Sequence, residues 1–283
     1  MLTVLESIKL STEYLEKKGV ESPRINAELL LAHILKCKRL DLYLTFDRPL
    51  DDEEVALYRT FLKRRGEFEP LQYIVGSVEF YGLPFYVNSS VLIPRQETEI
   101  LVEEIIEQHK NMPGIKILDI GTGSGNIAIS LAKNLPGAQV IGTDISRDAL
   151  VIAGKNSVLN CTESQAKFIE NDILNGYPEE KSFNVIVSNP PYVPADDFEK
   201  LRPELKVYEP RQALTDNADG LIYYREICRK AKELLLSGGR LYFETGEGQS
   251  GAVKKILEEN NYNSIRIKND YLDIERVISG EIN

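Results

Sequence analysis

The sequence predicts an α/β protein: a mostly parallel sheet wound on both faces by helices, with an antiparallel edge at its C-terminal end, preceded by a small N-terminal helical domain. Three observations predict it. Short apolar runs of strand length alternate with helical patterns from Ile115 to Asn260, the texture of a parallel sheet covered on both sides. The first of those runs, Ile115–Ile120, passes directly into Gly121-Thr122-Gly123-Ser124-Gly125 and then a helical stretch, Asn126 to Asn134. Residues 1–75, by contrast, carry apolar positions such as Val4, Leu5 and Ile8 at helical spacing and no strand pattern.

Within the helical domain, Ser22-Pro23 reads as an N-cap followed by proline at the first helical position, opening Ala27–Leu35. His33 lies in that apolar helix and is expected to be packed and hydrogen-bonded. Asp51-Asp52-Glu53-Glu54 supplies carboxylates where the helix macrodipole favours them. Lys63-Arg64-Arg65, the densest basic cluster, reads as a solvated helix face.

Residues 76–95 read as a linker. Ser77–Phe80 and Leu83–Val87 flank Tyr81-Gly82 as a β-hairpin. Residues 96–283 then form the second domain. Arg95-Gln96-Glu97-Thr98-Glu99, after Pro94, opens a helix carrying Ile100, Leu101, Ile105 and Ile106; such a loop closes over a ligand or simply caps its helix.

The glycine loop lets the backbone turn sharply and lets a ligand approach to contact distance. A dinucleotide fingerprint requires Gly-x-Gly-x-x-Gly, and Asn126 stands where the third glycine belongs, so a nicotinamide oxidoreductase fits poorly. About 20 residues on, the strand Gln139–Thr143 ends in Asp144, where a carboxylate accepts hydrogen bonds from a ribose diol. A third strand, Ala166–Glu170, runs into Asn171-Asp172-Ile173, where Asp172 is placed to meet an adenine amine. Together these point to a nucleoside-type ligand.

The fourth strand, Phe183–Val187, ends in Ser188-Asn189-Pro190-Pro191-Tyr192. Two prolines lack amide donors and cannot continue a sheet ladder, so their carbonyls are free to accept. Asn189 brings an amide donor and acceptor, and Tyr192 a flat aromatic face. The stretch suits a small planar group carrying N–H bonds: a carboxamide or the exocyclic amine of a nucleobase. It also suits an ordinary strand-ending turn. A loop from Val193 to Asp216, a helix Leu221–Leu236, a strand Gly238–Glu244, a helix Gln249–Asn260 and the paired strands Ser264–Ile267 and Ile274–Ile278 complete the chain. Ligands in such sheets bind outside the carboxyl ends of strands where the winding reverses. The functional reading therefore requires the first and fourth strands to lie side by side.

Composition narrows the function. The net charge of −10 argues against a broad phosphate-binding surface, so direct nucleic-acid binding is not expected. Three widely separated cysteines have neither pairing logic nor metal spacing, which suits a reducing cytoplasm. No apolar run approaches the ~20 residues of a membrane span. The two histidines, His33 and His109, stand apart from any ligand cluster or serine nucleophile, so neither metal-assisted hydrolysis nor triad chemistry is expected. Nothing in the sequence demands a dimer.

Gly121-Thr122-Gly123-Ser124-Gly125, Asp144 and Asn189-Pro190-Pro191-Tyr192 together resemble a class I S-adenosylmethionine-dependent methyltransferase acting on a planar nitrogen. More narrowly, Tyr73–Gly76, Glu79–Leu83, Leu92–Arg95 with Glu97–Glu99, and Tyr208–Leu214 resemble the HemK/PrmC family, across nearly the whole chain. The resemblance implies a Rossmann-like, seven-stranded sheet and a helical domain that helps dock the protein substrate. It implies S-adenosyl-L-methionine as methyl donor and the Gly-Gly-Gln glutamine of class 1 peptide chain release factors as acceptor, methylated at N5. On this reading Asn189, Pro190 and Tyr192 are catalytic and, with Pro191, hold the glutamine. Gly121, Thr122, Gly123, Ser124, Gly125, Asp144, Asp172 and Asn189 hold the donor. The chain departs from the family pattern at Gln96, usually proline, and at Ile173, often tryptophan. The competing readings are a nucleic-acid methyltransferase acting on adenine N6 or a guanine amine, and a non-catalytic domain that binds the nucleoside only to stabilise a docking surface.

Overall fold

A computed structural model describes residues 2–176 and 178–283; Met1, the first residue of the expected helical domain, and Tyr177 lie outside the described residues. The chain divides into two compact units, one of residues up to Gly76 with Arg202–Tyr208, the other of Ser77–Leu201 with Glu209–Asn283.

In the first unit, α1 (Val4–Lys17) opens on a reciprocal cap: Thr3 Oγ1 accepts from Glu6 N and Glu6 Oε2 accepts from Thr3 N. Asp51 and Glu54 make the same box at the head of α3 (Asp52–Gly66), so the acidic run is helix-start chemistry, as its sequence implies. Between them lies α2 (Pro23–Ile34), and α4 (Leu71–Val75) follows. The helices close on Leu15, Leu30, Leu31, Leu42 and Leu50, all fully buried.

Three local expectations change here. Pro23 does take the first helical position, but Ser22 adopts a left-handed conformation (φ 49°) and makes no side-chain cap; the Asn26 amide bonds its carbonyl instead. His33 is exposed, its ring 6.0 Å from that of Phe61, rather than packed inside. Arg65 is buried rather than solvated, since it falls on the inward face of α3. Its guanidinium donates to Asn26 Oδ1 at 2.7 Å and pairs with Glu204 at 3.0 Å.

The second unit starts with the antiparallel hairpin β1 (Ser77–Phe80) and β2 (Leu83–Tyr86) and the helix α5 (Gln96–His109). The sheet is then laid down by β3 (Lys116–Ile120), α6 (Asn126–Asn134), β4 (Gln139–Asp144), α7 (Arg147–Leu159), β5 (Ala166–Glu170) and β6 (Phe183–Ser188). The long connection after β6 holds three short helical segments, α8 (Ala195–Phe198), a π-helical turn (Glu204–Tyr208) and α9 (Arg211–Leu214), where the sequence predicts only a loop. The unit closes with α10 (Ile222–Leu234), β7 (Leu235–Glu244), α11 (Ser250–Glu259), β8 (Asn263–Asn269) and β9 (Glu275–Glu281).

The seven strands run in the order β5-β4-β3-β6-β7-β9-β8. The first five are parallel, and β9 and β8 add the antiparallel edge. Alternate residues of each strand feed the two faces. Ile117, Val140 and Val185 join α5 and α6 in one apolar layer, while Leu118, Ile141 and Ile186 join α10 and α11 in the other. The winding reverses between β3 and β6, which pair in parallel register from Ile117↔Val185 to Ile120↔Ser188. The adjacency that the functional reading requires is therefore present.

Candidate active site

Because β3 and β6 stop together, the loops that leave them open into one cleft. Gly121 and Gly123 from the first loop line it, with Asp144 at the end of β4, Asn171 and Asp172 after β5, and Asn189, Pro190 and Pro191 after β6. Residues separated by up to 70 positions thus share one cavity, because each follows the carboxyl end of a neighbouring strand.

The five loop residues divide their work. Gly121 and Gly123 form wall, whereas Thr122, Ser124 and Gly125 build the loop from behind. The Thr122 hydroxyl donates to Asp119 Oδ2 at 2.6 Å, and the Ser124 carbonyl accepts from Asn156 Nδ2 at 2.9 Å. Gly125 has φ +82°, and a Cβ there would come within 3.0 Å of Ile129 and 3.2 Å of Ala153 and Phe168. Asp119 is wholly buried under this loop, and burial pushes its carboxyl up to about 7.

Asp144 ties the site together. One carboxylate oxygen accepts from Gly123 N and the other from Ser146 N, each at 2.9 Å, while burial raises its pKa. Asp172 faces the cavity but also builds its own turn, accepting from Leu174 N at 2.9 Å and Asn175 Nδ2 at 2.6 Å. Its neighbour Asn171 leaves a buried Oδ1 without a partner among the described residues, an acceptor available at the cavity wall. Ile173 is buried and lines the same end, and the ammonium of Lys230 donates to its carbonyl.

At the other end, the Ser188 hydroxyl donates to Ile120 O at 2.7 Å, pinning the start of the proline turn to the base of the glycine loop. Asn189 Nδ2 donates to Thr98 Oγ1 at 3.3 Å. Tyr192 stands outside the cavity wall: its ring packs against the layer of α10 and α11, and its carbonyl accepts from Gln249 Nε2 at 2.9 Å. Gly246 admits that ring, since a Cβ there would lie 3.0 Å from Tyr192 Cδ2.

Several residues of the site do not stand out in the sequence. Glu209 is buried, accepts from Ile93 N at 3.2 Å and pairs with Arg95, so it locks the segment before α5 to the Pro210–Ala213 stretch of the wall. Glu244, at the end of β7, is wholly buried, and burial pushes its carboxyl up to about 7. The signal was a carboxylate closing an apolar strand at the ligand end of the sheet, the same signal that marks Asp144. His109 plays no part; its ring nitrogen lies 3.0 Å from the Tyr242 hydroxyl.

Residues 6–76 match the family model described as the PrmC N-terminal domain, and residues 95–217 match that of the methyltransferase small domain. The chain is 42% identical over 275 residues to the release factor glutamine methyltransferase of Fusobacterium nucleatum, covering 97% of this chain and 77% of that protein. With the release factor glutamine methyltransferase of Geobacter sulfurreducens it is 41% identical over 280 residues, covering 99% and 97%. A methyltransferase structure from Pyrococcus furiosus shares the fold, with TM-score 0.53 at 16% identity, covering 77% of this chain and 98% of that one. With relatives this similar along nearly its whole length, the chain belongs to the release factor glutamine methyltransferase family.

Proposed function

We infer that this protein transfers the methyl group of S-adenosyl-L-methionine to the side-chain amide nitrogen of a glutamine, the one in the Gly-Gly-Gln motif of class 1 peptide chain release factors. The observation that carries the reading is the shared cleft, in which the glycine loop after β3 and Asn189-Pro190 after β6 open side by side.

The residues present fit the donor. Asp144 keeps lone pairs for a ribose diol beyond those engaged by Gly123 and Ser146, and Gly121 and Gly123 allow close approach. Asn171 Oδ1 and Asp172 offer acceptors beside the apolar Ile173, a combination suited to a purine amine. When bound, the donor supplies an electrophilic methyl group on a sulfonium.

The protein's task is orientation, because an amide nitrogen is a weak nucleophile whose lone pair is delocalised into its carbonyl. The Asn189 side-chain oxygen and the Pro190 carbonyl accept the two N–H bonds of the glutamine and hold its nitrogen in line. Positive charge grows on that nitrogen as the new bond forms, so both acceptors bind the transition state more tightly than the ground state. No strong base is required, since an N-methylated, N-protonated amide is acidic enough to release its proton to water. Pro191 and Tyr192 stiffen the turn that aims these acceptors.

The net charge of −10 supports a protein substrate over nucleic acid, and we place the enzyme in the cytoplasm with its translation substrate. No helix among the described residues is long and apolar enough to cross a membrane. The test is mass analysis of release factor and ribosomal RNA offered together with the donor. Methyl on the Gly-Gly-Gln glutamine is the expected result; methyl only on RNA overturns the reading.

A further inference from the structure

Strands β6 and β7 run in parallel register with Ser188 opposite Phe243, so Asn189, the residue after β6, and Glu244, the last residue of β7, stand at the same level. Glu244 is 2% exposed, and its Oε2 has no hydrogen-bond partner among the described residues. Thr98, on the first turn of α5, is equally buried and accepts from the Asn189 amide at 3.3 Å. The Thr98 hydroxyl and the Asn189 amide are the side-chain donors that face the Glu244 carboxyl.

Among the described residues no ion pair neutralises this carboxylate, although the charge of Arg276 bears on it. The Arg276 guanidinium is engaged by Asp270 at 3.2 Å and by the Thr245 carbonyl at 3.2 Å. A buried carboxyl with no paired cation destabilises a fold, and an apolar residue of similar size would avoid that penalty. Such a violation of good packing at the mouth of a site signals a functional demand.

We propose that Glu244 and Thr98 are positioning residues that fix which way the Asn189 carboxamide faces, an inference that rests on the glutamine-methylating reading above. The oxygen and NH2 of a carboxamide are nearly equal in size, so packing alone leaves the two orientations equivalent. Hydrogen-bond polarity breaks the tie. An ionised carboxylate only accepts, so the Thr98 hydroxyl gives its single proton to Glu244 and turns a lone pair toward Asn189. Asn189 must answer with its NH2, which leaves its oxygen toward the cleft. The opposite orientation would set the Asn189 NH2 against the NH2 of the substrate, two donors with no acceptor between them.

The test uses the full-length enzyme with purified release factor, measuring kcat, KM for the release factor and the donor Kd. Thr98→Val keeps shape and removes the hydroxyl; Glu244→Met keeps length and removes the acceptor. Each is expected to lower kcat about 10- to 100-fold, the scale of one lost or mismatched buried hydrogen bond, with donor Kd changed less than about threefold. Thr98→Ser keeps the hydroxyl and recovers most of the loss. Glu244→Met is also expected to melt at a higher temperature than wild type, a gain that a merely structural role would not give. Wild-type kcat in either Thr98→Val or Glu244→Met, or a loss carried by donor Kd instead of kcat, overturns the proposal. So does Thr98→Ser as impaired as Thr98→Val. Wild-type enzyme run alongside separates the two layers: if it places no methyl on glutamine, the glutamine-methylating reading falls and this one falls with it.

Discussion

The hydroxyl of Ser188 donates to the carbonyl of Ile120 across the one strand junction where the sheet reverses its winding. That bond joins the last residue of β6 to the last residue of β3, so Asn189 and Gly121, the next residue of each strand, are held at a fixed separation. Orientation of an amide depends on such rigidity, because a misplacement of even an ångström costs about 100-fold in rate.

Asn189→Ala should therefore abolish turnover while leaving donor binding within about threefold of wild type, since the side of the cleft proposed to hold the donor comes from β3, β4 and β5. Single-turnover methyl transfer and calorimetric titration with the donor separate the two effects. Activity near wild type would show that the Asn189 oxygen is not an acceptor for the substrate.

The pH dependence follows from Glu244. Burial, opposed by the Thr98 hydroxyl, Arg276 and the Asn189 amide and reinforced by Glu97, holds its carboxyl up at about 7. The phenols of Tyr192 and Tyr224 also face it, and both are raised well out of the neutral range. The charged form that fixes Asn189 is present above about 7, so kcat should rise with pH through that value, and Glu244→Gln should flatten the rise. Stability runs the other way. A carboxyl whose folded pKa is raised stabilises the fold fully below the unfolded value, and that contribution is lost as pH rises through about 7. Wild type should thus lose melting temperature relative to Glu244→Gln between pH 5 and pH 8, ordinary buffer values that bracket the transition. Asp119 titrates over the same range but is present in both proteins, so the difference between the two curves isolates Glu244.

Gly125 offers a test of the loop itself. At its φ of +82° a side chain is strained, and the side chains of Ile129, Ala153 and Phe168 would each have to give way slightly to admit a Cβ. Gly125→Ala should destabilise the protein by about 1–3 kcal/mol through strain and overpacking, read from urea denaturation, and should weaken donor binding because the loop shifts with it.

Much of this was legible in the sequence, and the reason is range. A strand that ends in a glycine loop, or in paired prolines, declares itself within ten residues or so, because backbone conformation is set locally. The parallel character of the sheet followed from the alternation of strands with helices, whereas the order of the strands did not, since alternation leaves open which strands are neighbours. Thr98 and Glu244 were not legible as partners, because what joins them is the register of β7 on β6 and the packing of α5, neither of which any local pattern encodes. Arg65 hid for a related reason: a basic triplet reads as solvated until the helix phase turns one member inward, onto Asn26 and Glu204. Tyr192 was read by its chemistry alone, whereas its direction depends on the space that Gly246 leaves for its ring.

Asp144 carries the remaining prediction, because it supports the cavity and faces it. Its two oxygens already accept from Gly123 N and Ser146 N, which fixes the glycine loop against the start of α7. Asp144→Asn preserves shape but places an NH2 against one of those backbone donors, so it loses part of the loop's anchorage as well as the negative charge beside the proposed ribose site. Donor Kd should rise by about 10- to 100-fold, the cost of one or two charge-assisted bonds. At saturating donor, kcat should stay within about threefold of wild type, because Asn189 and Pro190 sit on a different strand end. A fall in kcat with unchanged donor Kd would move Asp144 from holding the donor to orienting the amide, and the division of labour between the two loops would have to be redrawn.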